Sequence, residues 1–224
     1  MALLRQILFT KSFLFCLVVP AAASPAGVDR AIAADTLTIG GTYAKSVLVF
    51  ATRADTPIDS VTPDWVARAY SGAVTQWPNG KPVQLVLRPE HELYAFSPAM
   101  KQAMVAAQER PGLLIEDAAQ DATNRLMQLE GSLGTAALAQ IKSERHTLKP
   151  LSFDGVAPST KTLVSGHYPL VNEFLYVTRR DARTVARDFI AFLKSDEAAG
   201  ILKKTGNVVA PRTERLTSCT KAHS

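Results

Sequence analysis

Cysteine is almost missing from this 224-residue chain: Cys16 and Cys219 are the only two. Cys16 lies in an N-terminal stretch that reads as a leader, so the body of the protein holds one thiol and no intramolecular disulfide can support it. Its stability has to come from a packed core, for which the apolar share of 47% is ordinary. Long hydrophobic runs are also lacking. The apolar stretch Phe13 to Val19 falls well short of the roughly 20 residues that span a bilayer. Aromatic residues make up 7% of the chain, and basic residues are dispersed among acids without a Lys/Arg block. Nucleic-acid binding, which needs clustered positive charge and rings to stack on bases, therefore has little support.

Catalytic signatures are absent as well. There is no G-x-S-x-G nucleophile turn, no G-x-x-x-x-G-K-[ST] phosphate loop and no G-x-G-x-x-G dinucleotide turn. His91-Glu92 lacks the second histidine of a zinc-binding helix, and His91, His146, His167 and His223 are widely spread. Cys219 sits in a polar tail, where a lone thiol is more often incidental than nucleophilic. An enzyme, a metal site and a bound cofactor are not expected.

What is present begins with Arg5 and Lys11, then the run Phe13 to Val19, then Pro20 and the small residues Ala21, Ala22, Ala23 and Ser24. Basic, apolar and small, in that order, is the pattern of a secretory signal peptide over residues 1–23. Cleavage after Ala23 fits, and Ala31-Ile32-Ala33 offers a second site. The expected product is exported to the periplasm without stable membrane insertion. Arg5 and Lys11 account for two charges of the formal +5, and the leader carries no acid, so the remainder is at +3. Such a mild excess serves solubility and would also gather small anions.

Along the body, strand and helix patterns alternate, which predicts an α/β fold. Thr36 to Ile39 reads as a short strand stopped by a tight turn at Gly40-Gly41, and Val47 to Phe50 as a separate buried strand. Thr62 as N-cap, Pro63 at the first helical position, Asp64 in the first turn and Gly72 as the stop mark a helix, with Val61 placed to pack on Val66. Val83 to Leu87 is a strand that delivers Arg88 at its carboxyl end. Ser97-Pro98 starts a helix through about Glu109. Leu113 to Ile115, Leu148 to Phe153 and Glu173 to Thr178 are strand candidates. Asp121 to Glu130, Ala182 to Lys194 and Asp196 to Lys204 are helical, the last stopped by Gly206.

Three places offer donors to an anion. Gly40-Gly41-Thr42 lets a ligand approach the main chain closely, with a threonine hydroxyl beside it. Arg88 carries a planar fork suited to an oxyanion, at a strand end where ligands of α/β sheets usually sit. Gly131-Ser132-Leu133-Gly134-Thr135 reads as a third small, donor-rich turn. Each has a plainer reading, as a turn or a surface ion pair.

The stretch Ala54 to Thr62, continuing through Ala69-Tyr70-Ser71-Gly72 and Thr75 to Pro82, resembles the helix and following turn of phosphate-binding-type periplasmic substrate-binding proteins of ABC transporters. Val86-Leu87-Arg88-Pro89 resembles the strand that carries their ligand arginine. Gly131 to Gly134, Asp154 to Ser159, Gly166 to Leu170 and Phe189 to Ser195 continue the likeness in order. The resemblance implies a type 2 periplasmic-binding fold with two lobes. Residues 53–170 would form the second lobe, and residues 24–52 and 171–224 a reduced first lobe with the hinge strands. It implies capture of a small phosphate-like oxyanion by Gly41, Thr42 and Arg88, without catalysis, for delivery to transporter membrane subunits. The chain departs from the family in two ways: the segment between its glycine-rich turn and the hinge strand is short, and Pro89-Glu90-His91-Glu92 replaces the usual small-residue turn after the arginine. An interaction or sensory module, or a degenerate paralogue, that keeps the fold and binds no solute is the alternative.

Overall fold

A computed structural model describes residues 17–20, 37–89, 96–179, 181–209 and 218–219. Arg5, Lys11, both expected cleavage sites, His91 and His223 lie outside the described residues.

The central element is a single 17-residue strand, β2 (Leu37–Arg53), which every other part of the main sheet is built around. On one edge it pairs antiparallel with β9 (Val171–Arg179) and, further along, β7 (Leu148–Pro150). On the other it pairs antiparallel with β6 (Ser132–Ala137), β10 (Val208–Val209) and β11 (Ser218–Cys219). Beyond β6 come two parallel strands, β4 (Gln84–Leu87) and β5 (Leu114–Ile115). At the opposite edge β1 (Leu17–Pro20), which includes the end of the N-terminal apolar run, pairs antiparallel with β9. A small second sheet joins β3 (Ser60–Val61) and β8 (Ser152–Phe153) in parallel. The fold is the mixed α/β arrangement expected.

The continuity of β2 corrects the sequence reading, which broke it at Gly40-Gly41. The chain does not turn there. Ile39 is opposite Val177 and Thr42 opposite Leu175, so two residues of β2 face one of β9, and a second irregularity follows between Thr42 and Ala44. Glycine inside a strand marks a bulge as readily as a turn, and partners on both edges supply the ladder that carries the strand through it.

Helices start and stop where local chemistry dictates. Helix α1 (Pro63–Ser71) has the Thr62 hydroxyl accepting from the Trp65 amide, and Gly72 closes it in the left-handed region at φ 85°. Val61 and Val66 are both buried beside that start. Ser97 caps α2 (Pro98–Gln108), and Ser195 caps α7 (Asp196–Lys204). Removing the Thr62 cap by Thr62→Ala should cost about 1 kcal/mol, measurable as a lower urea midpoint with an unchanged slope. Helices α3 (Ala119–Gln128) and α6 (Thr184–Leu193) lie near their expected positions, whereas the short α4 (Leu138–Ser143) and α5 (Thr160–Val164) were not anticipated.

Two apolar clusters result. The larger gathers β2 from Val47 to Ala51 with α1, α2, β4, β6 and the chain up to Leu170. The smaller holds Tyr43, Ala44, Tyr176 and Ile190, with Phe174, Leu193 and Leu202 packed against it.

Candidate functional site

Three parallel strands, β4, β5 and β6, direct their carboxyl ends the same way, and open α/β sheets bind ligands at such ends. Arg88 follows the last residue of β4 directly, as the sequence places it. Its residue is only 5% exposed, because β5 on one side and α2 on the other enclose the end of the strand. The Glu116 amide bonds the Leu87 carbonyl at 3.0 Å, extending the pairing with β5. Arg88 Nη1 donates to the Glu116 carbonyl, and the Arg88 carbonyl accepts from Gln108 Nε2 at 3.2 Å. The Glu116 carboxylate is engaged in turn by Arg125 Nε at 3.2 Å. Arg88 Nη1 thus ties the guanidinium to a rigid strand end. Anchoring of this kind preorganises a group for planar recognition of an oxyanion.

Gly41 and Thr42 do not join it. Val49 is opposite Ala136, and Leu85 runs beside Leu133, so continuing the pairing by register sets Arg88 level with Ala136 and Val49. Thr42 is seven residues from Val49 along β2. At roughly 3.3 Å per residue that is about 23 Å along the strand, with β6 lying between β2 and β4. An ion with bonds of about 3 Å cannot touch both ends of that span.

The third expected donor set is also different in kind. Gly131 to Thr135 is not an open turn, since Ser132 begins the central strand β6. The fully buried Ser132 hydroxyl donates to the Leu126 carbonyl at 2.7 Å and accepts from the Arg53 amide at 3.2 Å, so it is consumed by packing. Gly134 serves close approach: a Cβ there would lie 2.8 Å from the Val86 carbonyl oxygen and 3.1 Å from Leu126.

A shallow recess of about 180 Å³, open to solvent, lies at the other end of the parallel strands, lined in part by Asp55, Trp77, Lys81 and Glu130. Its charges are committed to each other. The Arg53 guanidinium hydrogen-bonds Asp55 and holds its carboxyl below the usual range, and Lys81 does the same to Glu130. It is a surface depression, unlike the enclosed clefts that bury a small ligand.

Sequence reasoning passed over Arg110, two residues past the end of α2. Among the described residues its Nε and Nη2 are buried without a hydrogen-bond partner, and its Nη1 lies where a side chain on Gly72 would fall. No pattern of spacing marks such a residue. Among the described residues no group of three His, Cys, Asp or Glu side chains could hold a metal, and no helix is long and apolar enough to cross a membrane.

Comparison with known proteins bears on what this framework is. The phosphate-binding protein PstS of Bacillus subtilis is 25% identical over 147 residues, which cover 64% of this chain and 48% of that protein. The chain therefore spans about half the length of this curated relative. A phosphate ABC transporter substrate-binding protein of Clostridium perfringens, solved with bound phosphate, superposes with a TM-score of 0.66 at 17% identity, over 78% of this chain and 72% of that one. A phosphate-binding protein from Stenotrophomonas maltophilia superposes with a TM-score of 0.67 at 11% identity, over 92% and 79%. At such identities the likeness of structures speaks for the fold alone. A family model for the PBP superfamily domain matches residues 21–197, most of the chain, and the chain belongs to that superfamily.

Proposed function

We propose that this is an exported solute-binding protein that captures a small phosphate-like oxyanion and presents it to the membrane subunits of an ABC transporter, performing no chemistry on it. The observation that carries this reading is Arg88, enclosed at the carboxyl end of a parallel strand with its fork tied to the neighbouring strand. The names of the relatives support the class of solute, and the order of basic, apolar and small residues at the N-terminus supports export. Residues 53–170 would act as the whole lobe, and residues 24–52 with 171–224 as a reduced one. The long strands β2 and β9 would serve as the hinge about which the two close. Gly41 and Thr42, far from Arg88 along β2, would meet a solute only if it bound away from the arginine. Removal of the leader would take β1 off β9 and leave β9 at the sheet edge.

A thermal-shift screen of the exported protein against phosphate, sulfate, molybdate, phosphonates and small carboxylates tests this. A ligand at a hundred times its dissociation constant adds about 2.7 kcal/mol of stability. A saturable rise in Tm with one anion is expected. A cooperative melt that no anion moves would remove solute capture.

A second reading, an interaction module that binds no solute, is favoured by α6. That helix buries Ala186 and Ile190, yet its other flank carries Val185, 57% exposed, and the half-buried, stacked rings of Phe189 and Phe192, 6.4 Å apart. Ile201 on α7 is exposed as well. Apolar surface grouped in this way marks partner surfaces.

A further inference from the structure

Ser46 on β2 and Asn172 on β9 are direct cross-strand partners, so their side chains share one face of the sheet. Ser46 is 1% exposed. Its Oγ and the Oδ1 of Asn172 are both buried, and neither has a hydrogen-bond partner among the described residues. Isolated orphans occur in native proteins, but two on directly opposed residues of one rung point to a single cause. Buried polar atoms left unpaired cost stability, and where two converge, an unseen guest between them is the ordinary explanation.

The surroundings define that guest. Along the same face the neighbouring rungs are apolar, with Ala44 opposite Phe174 on one side and Leu48, bonded by its amide to the Leu170 carbonyl at 3.1 Å, on the other. The nearest charged pair, Lys45 with Glu173 at 2.7 Å, belongs to the adjacent rung and hence to the opposite face. Asn207, which the β10 register continued by one residue sets opposite Ser46 on the other flank, spends its Nδ2 on Thr205 Oγ1 at 3.0 Å. With both neighbouring rungs apolar on this face, a charged guest would have no counter-charge beside it. The amide oxygen accepts only, so the guest must donate to it, while the serine hydroxyl accepts or donates as needed. Directly opposed Cβ atoms about 5 Å apart leave a gap that one atom with two hydrogen bonds fills. The site sits at the seam between the two apolar clusters, where on this face Ala44 belongs to one and Leu48 to the other.

We propose that Ser46 and Asn172 form a binding site for one uncharged hydrogen-bond donor, either a water molecule or the hydroxyl or amide end of a small solute, held between β2 and β9. It stands independently of the anion reading, since no residue of the Arg88 site takes part.

A double-mutant cycle with Ser46→Ala and Asn172→Ala, read by urea denaturation, tests it. A shared guest makes each single variant unfold at a lower urea midpoint and the double variant no worse than the poorer single one. Single variants that raise the midpoint, as relief of two unpaired oxygens would, or losses that simply add, overturn the proposal. A crystal structure of the unsubstituted protein gives a second reading that does not depend on the variants folding. A round peak of density within hydrogen-bond distance of both oxygens identifies water, and an elongated one a retained solute. Empty density there, or a direct bond between Ser46 and Asn172, overturns it.

Discussion

Phe50→Ala is expected to destabilise the protein by about 3–5 kcal/mol, the range for removing a fully buried phenylalanine from a core that cannot collapse around the gap. Phe50 has no exposed surface and stands where three packing layers meet. Its ring contacts Tyr70 of α1 edge-on at 6.4 Å, Phe96 at 5.4 Å and Phe153 of β8 in a stack at 5.8 Å. Its backbone is held on both sides, by Thr135 of β6 in the ladder and by the Leu151 amide at 2.8 Å. Those strands and the helix cannot move inward independently, so the cavity persists. Against a total stability of roughly 5–15 kcal/mol, the loss removes a large share. Urea denaturation of the two proteins side by side measures it. A loss of less than about 1 kcal/mol would mean that the aromatic cluster is loosely packed and that the larger core does not hold β2 in place.

Arg88→Ala should abolish the anion-induced rise in Tm, the second large effect. At saturating anion the unsubstituted protein gains about 2.7 kcal/mol at a hundred times the dissociation constant, and the variant should gain nothing measurable. Because Arg88 also donates to the Glu116 carbonyl, the anion-free variant should itself melt lower, so the comparison is between shifts and not between melting temperatures. Arg88→Lys separates charge from shape: it keeps the cation but loses the planar fork, and only partial recovery of the shift is expected. Arg125→Ala is the control. Arg125 meets the Glu116 carboxylate in a partly exposed pair, which is worth about 0–1 kcal/mol, and its loss should leave the anion response unchanged. An unaltered shift in Arg88→Ala would make the arginine a strut between β4 and β5 and move the solute site elsewhere.

The helix starts at Thr62 and Ser97 and the stops at Gly72 and Gly206 were legible in the sequence because they are decided within a few residues. The Thr62, Ser97 and Ser195 hydroxyls each accept from an amide three residues on, and Gly72 and Gly206 take the left-handed conformation that glycine favours. Arg88 was legible for a similar reason, because a short apolar run followed by a charged residue reads as a strand end. Gly131, just before β6, and Gly134 within it misled because their purpose is remote. Gly134 is small because the Val86 carbonyl and Leu126 press against it, and both come from other elements. Arg110 carried no signal at all, since its buried, unpartnered nitrogens arise from the packing around Gly72, distant in the chain.

The sequence by itself determined the alternation of strands and helices, the caps, the family likeness and the arginine at the strand end, because each depends on neighbours along the chain. Only the tertiary structure decided that Gly40 and Gly41 are a bulge within one long strand, that Thr42 and Arg88 stand about 23 Å apart along the sheet, and that Ser46 meets Asn172. These are matters of register between strands more than a hundred residues apart for Ser46 and Asn172, and strand register is set by which faces can be buried together, a property of the assembled sheet.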